Sequence, residues 1–188
     1  MTAMPQWTTA CLDWQGRIVR KQSLVPVGHL FPESAKFALD IFNQLVVADI
    51  SGKTDMGEVT GTWIQDMVGA LFGSYNPSTG QRLIQELFLL ISKKNSKSTT
   101  AAGIMLTALL WNWRENAEYF IIAPTKEVAN NSFDPAAAMI RNDPDLNDLL
   151  HVESYKRLIR HRLTGATLKI LAADSDTVTG IKGTGVLI

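Results

Sequence analysis

Apolar and polar positions follow two rhythms along the chain. From Ser34, the run Ser-Ala-Lys-Phe-Ala-Leu-Asp-Ile-Phe-Asn-Gln-Leu-Val-Val puts Phe37, Ile41, Leu45 and Ala48 on one side of a helix. That three-and-four spacing is an amphipathic stripe. Thr62 to Phe72 predicts a second helix, capped by Thr62 or Thr60, after a polar, glycine-containing loop from Asp55 to Gly61. Gly73 to Gly80 is dense in turn formers. Glu86-Leu-Phe-Leu-Leu-Ile91 is continuously apolar after its first residue and stops at a polar turn. It predicts a strand buried on both faces, as in a parallel sheet. Lys97 to about Trp113 reads as a helix, with Ala101, Ala102, Met105, Leu106, Leu109 and Leu110 apolar. Tyr119 to Ala123 predicts another buried strand, ended by Pro124. Thr125 then caps a helix containing Val128, Ala129 and Phe133, open to interruption at Pro135.

Further on, Asp143 to His151 is a short acidic segment. Ser154 to His161 and Ala166 to Ala172 flank Thr164-Gly165 as a hairpin. Gly185 to Ile188 begins one more apolar strand. Residues 1 to about 32 carry Trp7 and Trp14 and read as irregular, because Pro26, Gly28 and Pro32 break any long element. Strands alternating with helices predict an α/β fold with a largely parallel sheet and one antiparallel hairpin.

Composition narrows the classes. A chain of 188 residues fits one domain, or one domain with an arm. Lys plus Arg and Asp plus Glu both number 18, so no global basicity marks a nucleic-acid binder. Cys11 stands alone and cannot form an internal disulfide, which makes a reducing, intracellular setting the expectation. His29, His151 and His161 lack the spacing of a zinc site. No apolar run approaches the roughly 18 residues of a membrane span, and the N-terminus lacks the basic-then-apolar order of a signal peptide.

Candidate chemistry concentrates between Leu90 and Gly103, where a predicted strand feeds a predicted helix through Ser92-Lys93-Lys94-Asn95-Ser96. Such a loop aims successive backbone N–H groups and the positive end of a helix dipole at one spot, which suits phosphate. A Lys at the helix start reaches the β and γ phosphates, and the next Ser or Thr hydroxyl ligates Mg²⁺. Lys97 and Ser98 occupy those places, and Lys93 and Lys94 add charge. The two glycine positions of the usual phosphate loop are Ile91 and Ser96 here. Serine at the second can obstruct close approach of backbone to phosphate. A capped helix after a basic turn is the plain alternative.

Ser92-Lys93-Lys94-Asn95-Ser96-Lys97-Ser98-Thr99 resembles the Walker A segment Pro-Arg-Lys-Asn-Gly-Lys-Ser-Thr of tailed-phage large terminase subunits. Upstream, Trp63-Ile64-Gln65 and then Leu71-Phe72-Gly73 are similar to the family's Trp-Gln segment and Phe-Gly turn. Downstream, Tyr119 to Thr125 resembles its second strand, and Leu171 to Asp174, Gly180 and Gly185 to Ile188 resemble the approach to Walker B. The likeness covers roughly residues 60 to 188.

The resemblance implies an incomplete, P-loop NTPase-like three-layer core. Residues 60–188 would be a partial ATPase domain, and 1–59 an N-terminal arm and helical region. It implies ATP and Mg²⁺ as ligands, with Lys97 on the terminal phosphates and Ser98 on the metal. Gln65, with Trp63 beside it, would lie in the adenine-reading motif. Lys93 stands where the family often has an arginine on the γ phosphate, and lysine keeps the charge without the planar fork. The intact motor would sit in the bacterial host cytoplasm, where ATP hydrolysis would drive double-stranded DNA into a procapsid. Its partners would be the portal protein and the small terminase subunit, with homo-oligomerisation possible and no membrane contact.

The chain stops at Ile188, before the acidic pair that ends the family's Walker B strand, and without the nuclease domain. Weak nucleotide binding with little or no hydrolysis is therefore expected, from part of a longer protein or a truncated gene. Three alternatives stay open: a degenerate prophage module without catalysis, a helicase, or a small-molecule kinase. Trp63 serves packing or base stacking. Lys156, Arg157, Arg160, His161, Arg162 and Lys169 make a basic hairpin, read as a solvated face or a DNA contact. Asp174 and Asp176 read as turn residues or metal carboxylates, and Trp111 and Trp113 as core or inter-subunit surface.

Overall fold

The computed structural model describes residues 11–25, 31–47, 54–173, 180 and 182–188. Contacts divide the chain into two units, residues 1–40 with 60–90 and residues 41–59 with 91–188. Asp174 and Asp176 lie outside the described residues.

The first unit is helical. α1, Trp14–Val19, forms where the sequence reads as irregular. Arg17 and Arg20 both reach Asp13, at 2.8 and 3.6 Å, and this local clamp substitutes for burial, since none of the helix is buried. α2, Pro32–Gln44, passes from the first unit into the second. Its buried positions are Ala35, Ala38 and Phe42, whereas Phe37 is 55% exposed. The stripe is rotated from the predicted one because small residues seat it. α4, Thr62–Gly73, approaches so closely that a Cβ on Gly73 would lie 2.6 Å from Ala35 Cβ. The N-cap of α4 is Gly61, in place of either predicted threonine. Its core face is Ile64, Met67, Val68, Ala70 and Phe72. The turn beyond it closes through a bridge between Tyr75 and Arg82, with Gly80 at φ +69°. The Arg82 guanidinium lies over the Phe72 and Tyr75 rings, at 5.4 and 5.3 Å.

Residues 86–91 do not form the expected buried strand. Their backbone is irregular, and Leu87, Phe88 and Leu90 are 45%, 87% and 83% exposed. An apolar run becomes a strand only where a sheet edge takes its N–H and C=O groups. Here the run has no ladder partner, and the five-stranded sheet ends at the strands Leu150–Glu153 and Gly185–Leu187.

The second unit opens with a small antiparallel pair, β1 (Val46–Val47) and β2 (Thr54–Asp55), then α3 (Met56–Val59). The predicted loop from Asp55 is a short helix because Met56 is buried. α5 (Lys97–Trp111), β3 (Glu118–Ala123) and α6 (Lys126–Arg141) follow as their sequences predict. α6 runs through Pro135 without ending there. α7 (Pro144–Leu149) and β4 (Leu150–Glu153) replace the predicted acidic segment, with Asp143 capping α7 through the Asp145 and Leu146 N–H groups. A 3₁₀ turn (Ser154–Lys156) leads into β5 (Leu158–His161), β6 (Thr167–Ala172) and β7 (Gly185–Leu187).

The sheet order is β4-β5-β6-β3-β7. β3 pairs in parallel with β6 and β7, while β4–β5 and β5–β6 are antiparallel. The fold is thus α/β with a mixed sheet, and the expectation of a largely parallel one is corrected. The difference comes from β4, which adds a second antiparallel pairing to the predicted hairpin. That hairpin is present, β5 to β6, and Gly165 turns it at φ +69°. Pairing buries Tyr119 to Ile122 on both faces of β3, as their unbroken apolar run predicts. α5 and α6 pack against each other and on the sheet. Gly103 lets α5 seat against Phe42, whose ring would stand 2.9 Å from an added Cβ.

Candidate functional site

The residues before α5 form an exposed polar loop. Lys94 and Ser96 both adopt the left-handed conformation, at φ +66° and +49°. Side chains rarely adopt it, and it reverses the chain so that the helix starts abruptly. Asn95 Nδ2 donates to Ser92 Oγ at 2.6 Å, which holds the loop's two shoulders together. Lys97 Nζ donates to Ile91 O at 3.1 Å and Ser92 O at 2.8 Å. The ammonium therefore lies across the mouth of the loop, where it pins the first carbonyls. An ammonium has three donors, so one is left for a ligand.

The start of α5 is open. Its N-cap, Ser96, makes no side-chain cap, and no acidic residue occupies the first turn. The N–H groups of Lys97, Ser98 and Thr99 have no acceptor within the helix, by helix geometry. Together with the helix dipole they favour an anion. Ser98 and Thr99 are half-buried, whereas Ser92, Lys93, Lys94, Asn95 and Ser96 are exposed. Ser92 to Thr99 thus form one continuous exposed-to-half-buried loop and helix start. Among the described residues, no cluster of three or more His, Cys, Asp or Glu side chains could hold a metal. The donor set is chemically compatible with phosphate oxygens, and Ser98 carries a hydroxyl of the kind that can ligate a phosphate-bound Mg²⁺.

Trp63 and Gln65 lie in the first turn of α4, in the other unit. Trp63 is 43% exposed, and its ring lies against Gly61. Gln65 Nε2 donates to Thr60 Oγ1 at 2.6 Å, which fixes the amide and leaves its carbonyl oxygen as an acceptor. The Thr60 hydroxyl, a predicted cap, is used to orient Gln65.

Three of the five Lys and Arg cations of the basic hairpin are paired, two of them to a single carboxylate. Lys156 meets Glu153 at 2.7 Å, Arg160 meets the same carboxyl at 3.9 Å, and Lys169 meets Glu118 at 2.8 Å. His161 is buried, and burial pushes its pKa below the ordinary histidine value. Its Nδ1 accepts from the Thr164 N–H at 3.3 Å, so the ring is neutral near pH 7 and contributes no charge.

The family model for the terminase large subunit, ATPase domain, matches residues 62–188. The crystal structure of the HK97 bacteriophage large terminase is similar in fold, with a TM-score of 0.66 and 19% identity. The match covers 81% of this chain and 30% of that one, so the chain spans less than a third of the solved protein's length. No curated protein matches the sequence.

Proposed function

The chain belongs to the family of terminase large-subunit ATPase domains, and on that premise we propose that Ser92 to Thr99 bind the phosphates of ATP in a phage DNA-packaging motor. One observation carries the reading. An uncapped helix start, free of carboxylates, is faced by a lysine already fixed across the preceding loop. Lys97 holds the terminal phosphates, the free N–H groups of the first turn bind their oxygens, and Ser98 ligates Mg²⁺. When bound, the metal neutralises charge on the phosphates. Lys93, exposed on the rim of the loop, serves as the γ-phosphate contact. Gln65 reads the adenine edge through its free carbonyl oxygen, with Trp63 beside it.

The core is that of a P-loop NTPase, with residues 60–188 as the ATPase portion and 1–59 as an arm. In the intact protein, hydrolysis drives double-stranded DNA into a procapsid in the host cytoplasm. There the protein works with the portal and the small terminase subunit, in a homo-oligomer. The 188-residue chain itself binds Mg-ATP through this loop. Titration calorimetry with Mg-ATP tests this. The chain should give a saturable isotherm that Lys97→Ala abolishes. Equal isotherms for both would remove the loop from the mechanism and favour a non-catalytic module.

A further inference from the structure

Arg157 stands apart from the other hairpin cations. It follows the 3₁₀ turn in the left-handed conformation, at φ 51° and ψ 52°, with its side chain half-buried. Its Nε donates to Asn130 Oδ1 on α6 at 3.0 Å. From the last turn of α6, Arg141 Nη2 donates to Ser154 Oγ at 2.6 Å. Both guanidiniums are thus oriented by neutral oxygens. Among the described residues, neither is in an ion pair. Glu127 feels the charge of Arg157 only as a minor influence. The two arginines line a cleft of about 490 Å³, together with Asp134 and Tyr155.

A guanidinium carries five donors in a fixed fork, and each of these spends one on its positioning partner. The remaining donors suit the oxygens of a phosphate or carboxylate. Two arginines and one aspartate leave a net charge of +1, which one phosphodiester neutralises. Tyr155 is 97% exposed at the rim, where a flat ring can stack on a base. A long side chain in the left-handed region is strained, and such strain persists where surroundings or function over-determine it.

We infer that this cleft binds a single phosphodiester group of a nucleic-acid strand, gripped by Arg141 and Arg157. The inference rests on the DNA-packaging reading and gives it a contact point outside the nucleotide loop.

Fluorescence anisotropy of the full chain with a labelled DNA duplex, across a salt series, tests it. Arg141→Gln and Arg157→Gly should each weaken binding about tenfold and lower the salt slope by about one. Lys156→Gln, on the same turn but outside the cleft and already paired, should leave both nearly unchanged. Glycine fits the backbone at 157, and that relief offsets the lost Asn130 contact, so Arg157→Gly should keep a Tm close to the parent's, which separates lost binding from lost fold. Duplex affinity unchanged in both arginine variants overturns the proposal. So does saturable binding of inorganic phosphate that both variants lose while duplex binding persists. Mg-ATP titrations of the same variants should match the parent, so failure here leaves the nucleotide reading standing.

Discussion

Two helices of the second unit follow apolar runs of similar appearance, yet their starts are opposites. Before α6, the run is β3, paired on both sides and buried. Thr125 then caps the helix in the extended conformation, its Oγ1 accepting from the Val128 N–H at 3.3 Å. Glu127 places a carboxylate in the first turn. Before α5, the run is exposed, the cap residue is left-handed, and the first turn carries a lysine and no carboxylate. One start is capped from within, and the other is left without a side-chain cap. The lesson is that a helix N-terminus becomes a site when local chemistry declines to close it.

Breaking the comparison should be easiest at Lys97. Lys97→Ala is expected to abolish saturable Mg-ATP binding, a loss well above tenfold in calorimetry, with little change in Tm. Thr125→Ala should show the inverse pattern. It should cost about 1 kcal/mol in chemical denaturation and leave nucleotide affinity intact. Ser96→Gly should sharpen the contrast more gently. Relief of the left-handed strain is partly offset by the freer unfolded chain, for a net gain of about 0.5–1 kcal/mol. Nucleotide affinity should rise with it, because no Cβ then stands at the loop.

The smallest effect is pH-dependent. Glu127 is held below the ordinary glutamate value by its own backbone N–H and then by the Thr125 hydroxyl. A carboxyl depressed in the folded state stabilises above its unfolded value near 4.5 and loses that contribution as pH falls through the folded value. Tm measured downward from pH 5 should therefore fall less steeply in Glu127→Gln. The α5 start, with no carboxylate in its first turn, should show no matching pH dependence.

Much of this was legible in the chain because the signals are local. Thr125 announced its cap, Tyr119 to Ala123 its strand, and Thr164-Gly165 its turn. What escaped depends on distant partners. The run Leu87 to Ile91 reads as buried, but apolarity records only a preference, and pairing needs an edge elsewhere in the fold. Phe37 drew the α2 stripe toward itself by size, while the packing against Gly73 selected the smaller Ala35. Arg141 gave no signal at all, because only tertiary structure brings Ser154 and Arg157 beside it. His161 looked like a hairpin cation until its burial made it neutral.

Backbone amide chemical shifts during a Mg-ATP titration test the central contrast most directly. Large, saturable shifts are expected at Lys97, Ser98 and Thr99, and none at Glu127 and Val128. Comparable shifts at both helix starts, or none at the first, would contradict it.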